Sequence, residues 1–244
     1  MYVELIVDTA KLLFILACLC LGIITYVHTW RPAWSAPLLK RRRAIIWALG
    51  LAVLAVKISE DVVFAESSLI DTVVLRYIHT SLPAALTPVF EFITVFGASR
   101  VLFPVTLIAT CWLLYKRRRA EVFLLAVSVI SSAVLVYIVK TVVQRDRPAL
   151  WQTEWYWGSS FPSGHALVFS AFAISVALCV ARIWPTRRML ALSVAVLWLV
   201  MVAFSRLVLG VHWPTDVLAA VCIGVFIPLA MDITLYLYSH FRDP

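Results

Sequence analysis

Residues 122–148 read VFLLAVSVISSAVLVYIVKTVVQRDRP. From Val122 to Val139 no side chain is charged, and Lys140 is the first that is. A helix needs about 20 such residues to cross the hydrocarbon core of a bilayer. Arg145, Asp146 and Arg147 then crowd together, and Pro148 follows. The stretch therefore reads as a membrane-spanning helix with a cationic end. The whole chain agrees. Of its 244 residues, 63% are hydrophobic and 14% charged, and mean hydropathy is +0.97. Water-soluble domains run at about half apolar and about a quarter charged. A soluble fold of this length could not hide so much apolar surface, and no second sizeable soluble domain fits beside it.

Similar apolar runs occupy 9–28, 44–63, 101–115, 165–183, 189–205 and 215–237. The expected fold is an all-α polytopic transmembrane bundle, with six core spans and an extra N-terminal one. Residues 1–43 form an N-terminal membrane segment with a basic loop, and 44–244 the main membrane domain. Glu4 and Asp8 precede the first run where a signal peptide would carry basic residues, so that run reads as a retained helix. The run at 101–115 is short, and residues 92–98 can extend it.

The net charge of +8 is punctuated between apolar runs rather than spread over one face. That pattern suits membrane topology and argues against a nucleic-acid partner. Lys40 to Arg43, Lys116 to Arg119, and Arg182 with Arg187 and Arg188 are expected in the cytoplasm. Alternation then places 64–100, 141–164 and 206–214 outside. Within 64–100, Leu69, Ile70, Val73, Val74, Tyr77 and Ile78 make one helical stripe, with Asp71 and Arg76 off it. A second stripe runs through Leu86, Val89, Phe90, Ile93 and Phe96 to Gly97. These predict two short amphipathic helices in the membrane surface. Ser68 with Asp71 has the form of a capping box. Trp151, Trp155, Tyr156 and Trp157 suit headgroup depth. The five cysteines lie in apolar runs without CxxC spacing and read as small buried residues.

Charged groups near membrane depth are functional candidates, and three clusters share the expected outer side. Lys140, Arg145 and Arg147 form a positive patch where the positive-inside bias disfavours one. Pro162-Ser163-Gly164-His165 precedes an apolar run. Ser163 can cap that helix, Gly164 lets a ligand approach the backbone, and the helix N-terminus favours an anion. Ser205-Arg206 leads through His212 to Asp216, one turn into the last span. A carboxylate there could fix the imidazole tautomer, or form an interfacial salt bridge. Taken together, two histidines, a carboxylate, several cations and a helix N-terminus supply what phosphoryl transfer needs. A zinc site is the competitor, but the cations beside His165, His212 and Asp216 would repel a divalent ion, so no metal is expected. His28, His79 and His240 lack such company and read as interfacial or solvated. Asp232, inside the last span, has no reading beyond a snorkelling acid.

The three clusters resemble the signature KxxxxxxRP, PSGH and SRxxxxxHxxxD of the PAP2 (type 2 phosphatidic acid phosphatase) superfamily. They match here as Lys140 to Arg147-Pro148, Pro162 to His165, and Ser205-Arg206 through His212 to Asp216. The resemblance implies a membrane lipid phosphatase with no cofactor. It implies that His212 attacks phosphorus, Asp216 orients it, and His165 protonates the leaving oxygen and then helps activate water. It implies that Lys140, Arg147 and Arg206 clamp the phosphate, completed by Ser163 and the Gly164 N–H. Preference for His212 over His165 as nucleophile comes from the resemblance alone. The implied partner is a lipid phosphate in a bacterial inner (plasma) membrane, reached from the periplasm or outside. An extra first span departs from the usual six.

Overall fold

The computed structural model describes residues 2–151 and 158–242, with the backbone alone at 2–8 and 242. Trp155, Tyr156 and Trp157 lie outside the described residues. The described residues are helical throughout their ordered elements, as the apolar runs predict. The α-helices are α1 (Tyr2–Trp30), α2 (Ser35–Lys40), α3 (Arg42–Val63), α4 (Ser68–Ser81), α5 (Thr87–Val95), α6 (Ser99–Tyr115), α7 (Arg119–Val143), α8 (Gly164–Ile183), α9 (Arg188–Val208) and α10 (Pro214–Arg242).

Each of the seven expected spans is a helix. Five are long and apolar enough to cross a membrane alone, namely α1, α7, α8, α9 and α10. Residues 84–95 and α6 meet at a 40° bend and together are apolar enough for a sixth, broken span. The helix α3 carries Lys57, Glu60 and Asp61 in its second half. Lys57 Nζ lies 2.6 Å from Asp61 Oδ1 and 3.6 Å from Glu60 Oε2, so the charges answer one another on a single helix face.

The bundle is built around α8, twelve of whose twenty residues are buried. Its small alanines and serines let α7, α9 and α10 approach closely. At Gly224 of α10, a Cβ would come within 2.4 Å of the Leu167 carbonyl oxygen, so only glycine permits that crossing. The outer helices are inverted relative to a soluble protein. Ile108, Val142 and Met189, for example, are at least 70% exposed. Such a surface is stable only against an apolar solvent.

Between α3 and α6 the structure keeps one expectation and alters another. The stripe Leu69, Ile70, Val73, Val74 and Tyr77 of α4 faces outward, while Asp71 and Leu75 on the opposite face are fully buried. The capping box does not form. Ser67 occupies the N-cap without a side-chain capping bond, and the Asp71 carboxylate is engaged across the fold instead. The second stripe forms its own short helix, α5, with Val89 and Phe92 exposed on one face. Phe90 and Ile93 are buried, α5 packs on α9, and the chain continues into α6 across the bend.

The basic loops gather at one end of the bundle. Arg41 Nη1 and Arg182 Nε lie 2.9 Å and 2.7 Å from the two carboxylate oxygens of Asp232, which is 3% exposed. Asp232 is thus no snorkelling residue but a buried anchor for two arginines.

Candidate active site

The site forms at the other end of the bundle, where three chain breaks face one another. α7 ends at Gln144, whose left-handed φ of +47° reverses the chain. Residues 145 and 158–160 then zip together. Arg145 N donates to Ser159 Oγ at 2.8 Å, and Ser160 N donates to Arg145 O at 2.7 Å. Lys140 Nζ donates to the Ser159 carbonyl. This zipper ties the first cluster to the second, just ahead of α8. The third cluster spans the last turn of α9, a short loop at 209–213, and the first turn of α10.

His212 is 2% exposed and Asp216 fully buried. His212 Nδ1 faces Asp216 Oδ2 at 3.6 Å, too long for a hydrogen bond. Ser160 joins them. Its Oγ donates to Asp216 Oδ2 and stands 3.4 Å from His212 Nδ1. Trp213 N also donates to Asp216 Oδ2, at 2.8 Å. The other imidazole nitrogen, Nε2, faces Arg147 Nη1 at 3.4 Å. Arg147 is held in place by donating to Val211 O at 2.8 Å and Gly158 O at 3.3 Å. Burial pushes the His212 pKa down to about 4, against the upward pull of Asp216, with Arg206 and Arg147 adding to the fall. The ring is therefore neutral at ordinary pH, with Nε2 on the cationic side.

The other expected residues converge on the same place. His165 lies in the electrostatic field of Arg206, His212, Arg147 and Lys140. Arg206 is fully buried and donates through Nη1 to Thr94 Oγ1 at 2.6 Å. Ser163 and Gly164 open α8. Ser163 sits at the N-cap, but its hydroxyl makes no capping bond. That hydroxyl is buried and has no hydrogen-bond partner among the described residues. Ser163 N instead donates to the Asp216 carbonyl at 3.3 Å, clasping the starts of α8 and α10. An open cavity of about 320 Å³ is bordered by Lys140, Arg145, Arg147, Gly158 and Ser159.

Several members were not legible as such. Arg145 read as one cation among three, yet it turns inward, with Nη1 2.6 Å from Asp216 Oδ1 and Nη2 2.6 Å from Asp71 Oδ2. Thr94 and Gly97 come from α5 and the turn after it. A Cβ on Gly97 would stand 3.1 Å from His165 Cβ and 2.8 Å from Val202 Cγ1, so glycine lets this turn rest on the histidine. Trp151 stacks on His79 with ring centroids 3.9 Å apart, so His79 does have company. Among the described residues no three His, Cys, Asp or Glu side chains gather as a metal site requires.

Several known proteins resemble this chain in sequence or in fold. The PAP2 superfamily model matches residues 121–240. Phosphatidylglycerophosphatase B of Escherichia coli K12 is 41% identical over 74 residues, covering 30% of this chain and 27% of that relative's length. An undecaprenyl-diphosphatase of Sulfolobus acidocaldarius is 28% identical over 194 residues, covering 76% of this chain and 89% of the relative. The crystal structure of a transmembrane PAP2-type phosphatidylglycerolphosphate phosphatase from Bacillus subtilis superposes with a TM-score of 0.67 at 22% identity. That likeness covers 82% of this chain and 97% of the other, and is one of fold.

Proposed function

The chain belongs to the PAP2 superfamily, and from that membership and the site geometry we propose that it is a lipid phosphatase of the membrane. The substrate is a phosphate or pyrophosphate monoester of a lipid, cleaved through a phosphohistidine at the extracytoplasmic face. The observation that carries the reading is the buried, neutral His212. One nitrogen is turned to Asp216 and Ser160, and the other is turned to Arg147.

In this reading the Nε2 lone pair of His212 attacks phosphorus as the bond to the leaving lipid oxygen breaks. His165 gives that oxygen its proton. The negative charge of Asp216, passed on through Ser160 Oγ, stabilises the Nδ1 proton as the ring becomes cationic. Water then attacks the phosphohistidine, His165 takes its proton, and inorganic phosphate departs. Lys140, Arg147 and Arg206 stabilise the charge on the phosphoryl oxygens, the main source of rate in such transfers. Ser163 Oγ and the Gly164 N–H complete the cradle. The domain at 44–244 carries this chemistry, with 1–43 as an added anchor. The basic end lies in the cytoplasm and the site on the periplasmic or outer side of a bacterial plasma membrane. The wide match to an undecaprenyl-diphosphatase favours undecaprenyl pyrophosphate over phosphatidylglycerophosphate, phosphatidic acid or lipid A phosphates.

The test is phosphate release from a panel of these lipids by purified protein in EDTA. Release is expected without any acceptor lipid, with inhibition by vanadate. His212→Ala and His165→Ala should each reduce it to background while the protein still folds. Full activity in either variant would refute the assignment. Release only with an acceptor lipid would indicate a phosphotransferase. Anion transport that survives His212→Ala would indicate a transporter.

A further inference from the structure

Asp71 and Arg145 fill no fixed position of the three-part signature, yet among the described residues they make a heavily bonded charge cluster at this end of the bundle. Asp71 is fully buried in α4. Its Oδ1 accepts from Thr215 N at 2.9 Å. Its Oδ2 accepts from Thr215 Oγ1 at 2.7 Å and from Arg145 Nη2 at 2.6 Å. Arg145 Nη1 donates to Asp216 Oδ1 at 2.6 Å and to Thr215 Oγ1 at 2.9 Å. The backbone of Arg145 is itself fixed by Ser159 and Ser160. A guanidinium whose two Nη groups both serve carboxylates is poorly placed to clamp a substrate phosphate. Its charge is directed into the protein, onto Asp216, whose second oxygen is left for Ser160, Trp213 N and His212.

The geometry points to Asp71 and Arg145 as positioning residues that orient Asp216 and set the charge felt by His212. The consequence for turnover rests on the phosphatase reading above, whereas the coupling to His212 does not. The charged and titratable groups around His212 are Asp216 from α10, Arg206 from α9, His165 from α8 and Lys140 from α7. Arg145 and Arg147 come from the segment after α7, and Asp71 stands behind Arg145 from α4. Arg145 partly neutralises Asp216, and Asp71 restores a negative charge to the cluster. Their removal should therefore move His212 in opposite directions. A purely structural role for either residue predicts no such opposition.

The experiment follows the titration of His212 by NMR in full-length, histidine-labelled protein in detergent, its signal assigned by loss in His212→Gln. Arg145→Gln should raise the midpoint and Asp71→Asn should lower it, with Arg145→Lys returning it toward the wild-type value. In phosphate release, Arg145→Gln should lower kcat by about 10²-fold, the scale of a small misplacement of a reacting group, with KM little changed. Midpoints in Arg145→Gln and Asp71→Asn that match the wild type, or that shift together, would overturn the inference even in a protein that cleaves no lipid. If Arg145→Gln does not fold, Asp71→Asn decides by the same rule. A wild type that is inactive on every lipid tested, with opposed midpoints intact, would remove the phosphatase reading and leave this coupling standing.

Discussion

The helix α10 is held at both ends of the bundle by buried carboxylates, and the two ends use opposite arithmetic. Near its start, two carboxylates, Asp71 and Asp216, share the one guanidinium of Arg145. Sixteen residues further on, about 24 Å along the helix, two guanidiniums, Arg41 and Arg182, share the one carboxylate of Asp232. Both arrangements answer the same physical demand, since a buried charge without a partner is costly. They leave opposite residues of charge. The first keeps a net negative charge beside an imidazole, which would support the ring as it becomes cationic in the proposed transfer. The second keeps a net positive charge, in keeping with the basic loops around it. The partners differ in wetness too. The Arg145 side chain is 15% exposed, whereas Arg41 and Arg182 are 30% and 23% exposed. One end is the drier and holds the candidate site, and the other is a wetter fastening.

The comparison breaks most visibly if arginines are removed from each end in turn. Arg206→Ala or Arg147→Ala should lower turnover by roughly 10²-fold or more, as when a partner of transition-state charge is lost. Arg182→Ala should leave turnover per folded molecule near the wild-type value. Steady-state kinetics on a soluble short-chain lipid phosphate would separate the cases. A loss at Arg206 confined to KM would mean simple ground-state binding.

A smaller effect concerns pH. Burial and the neighbouring arginines hold the His212 pKa at about 4, below the ordinary 6.5. The proposed nucleophile therefore stays neutral as pH falls through 6.5, and is lost only as pH approaches 4. The acid limb of kcat/KM reports the free enzyme. It should lie near pH 4, and at pH 5 the protein should keep about 30-fold more reactive imidazole than an unperturbed histidine would. A limb centred at 6.5 or higher would mean that Asp216 outweighs burial.

The spans were legible because hydrocarbon imposes a length and an apolar composition on each helix separately. Lys140, Arg147, His165, Arg206, His212 and Asp216 were legible because their spacing within each cluster is fixed by a turn or a helix start. Asp71, Thr94 and Arg145 were not. Asp71 meets Arg145 across 74 residues of chain and Arg206 meets Thr94 across 112, and no local period records such a meeting. One trace of Asp71 was present, a lone acid opposite an apolar stripe with Leu75 one turn on. It read as a cap because nothing local distinguishes a capping carboxylate from one that reaches across a bundle. The partner of the second amphipathic stripe stayed hidden for a related reason. The residues that face lipid in a surface helix are the same types that pack on a neighbouring span, and only α9 decides between them.

The smallest expected effect sharpens the comparison at its other end. Asp232→Asn keeps the shape of the side chain and one carbonyl acceptor but removes the charge that Arg41 and Arg182 share. A hydrogen bond to a charged group contributes about 1.5–3 kcal/mol. The partial exposure of both arginines lets water take over some of that role. The net loss should be about 1–2 kcal/mol, a few degrees in a thermal unfolding scan of the purified protein. Turnover measured well below the transition should be unchanged, because Asp232 touches nothing in the site and the intervening length of α10 is packed rigidly on α3 and α8. If Asp232→Asn instead slowed turnover as strongly as a change at Asp216 while the melting point held, the two ends would be mechanically coupled through the helix. The division between a reactive end and a fastening end would then be wrong.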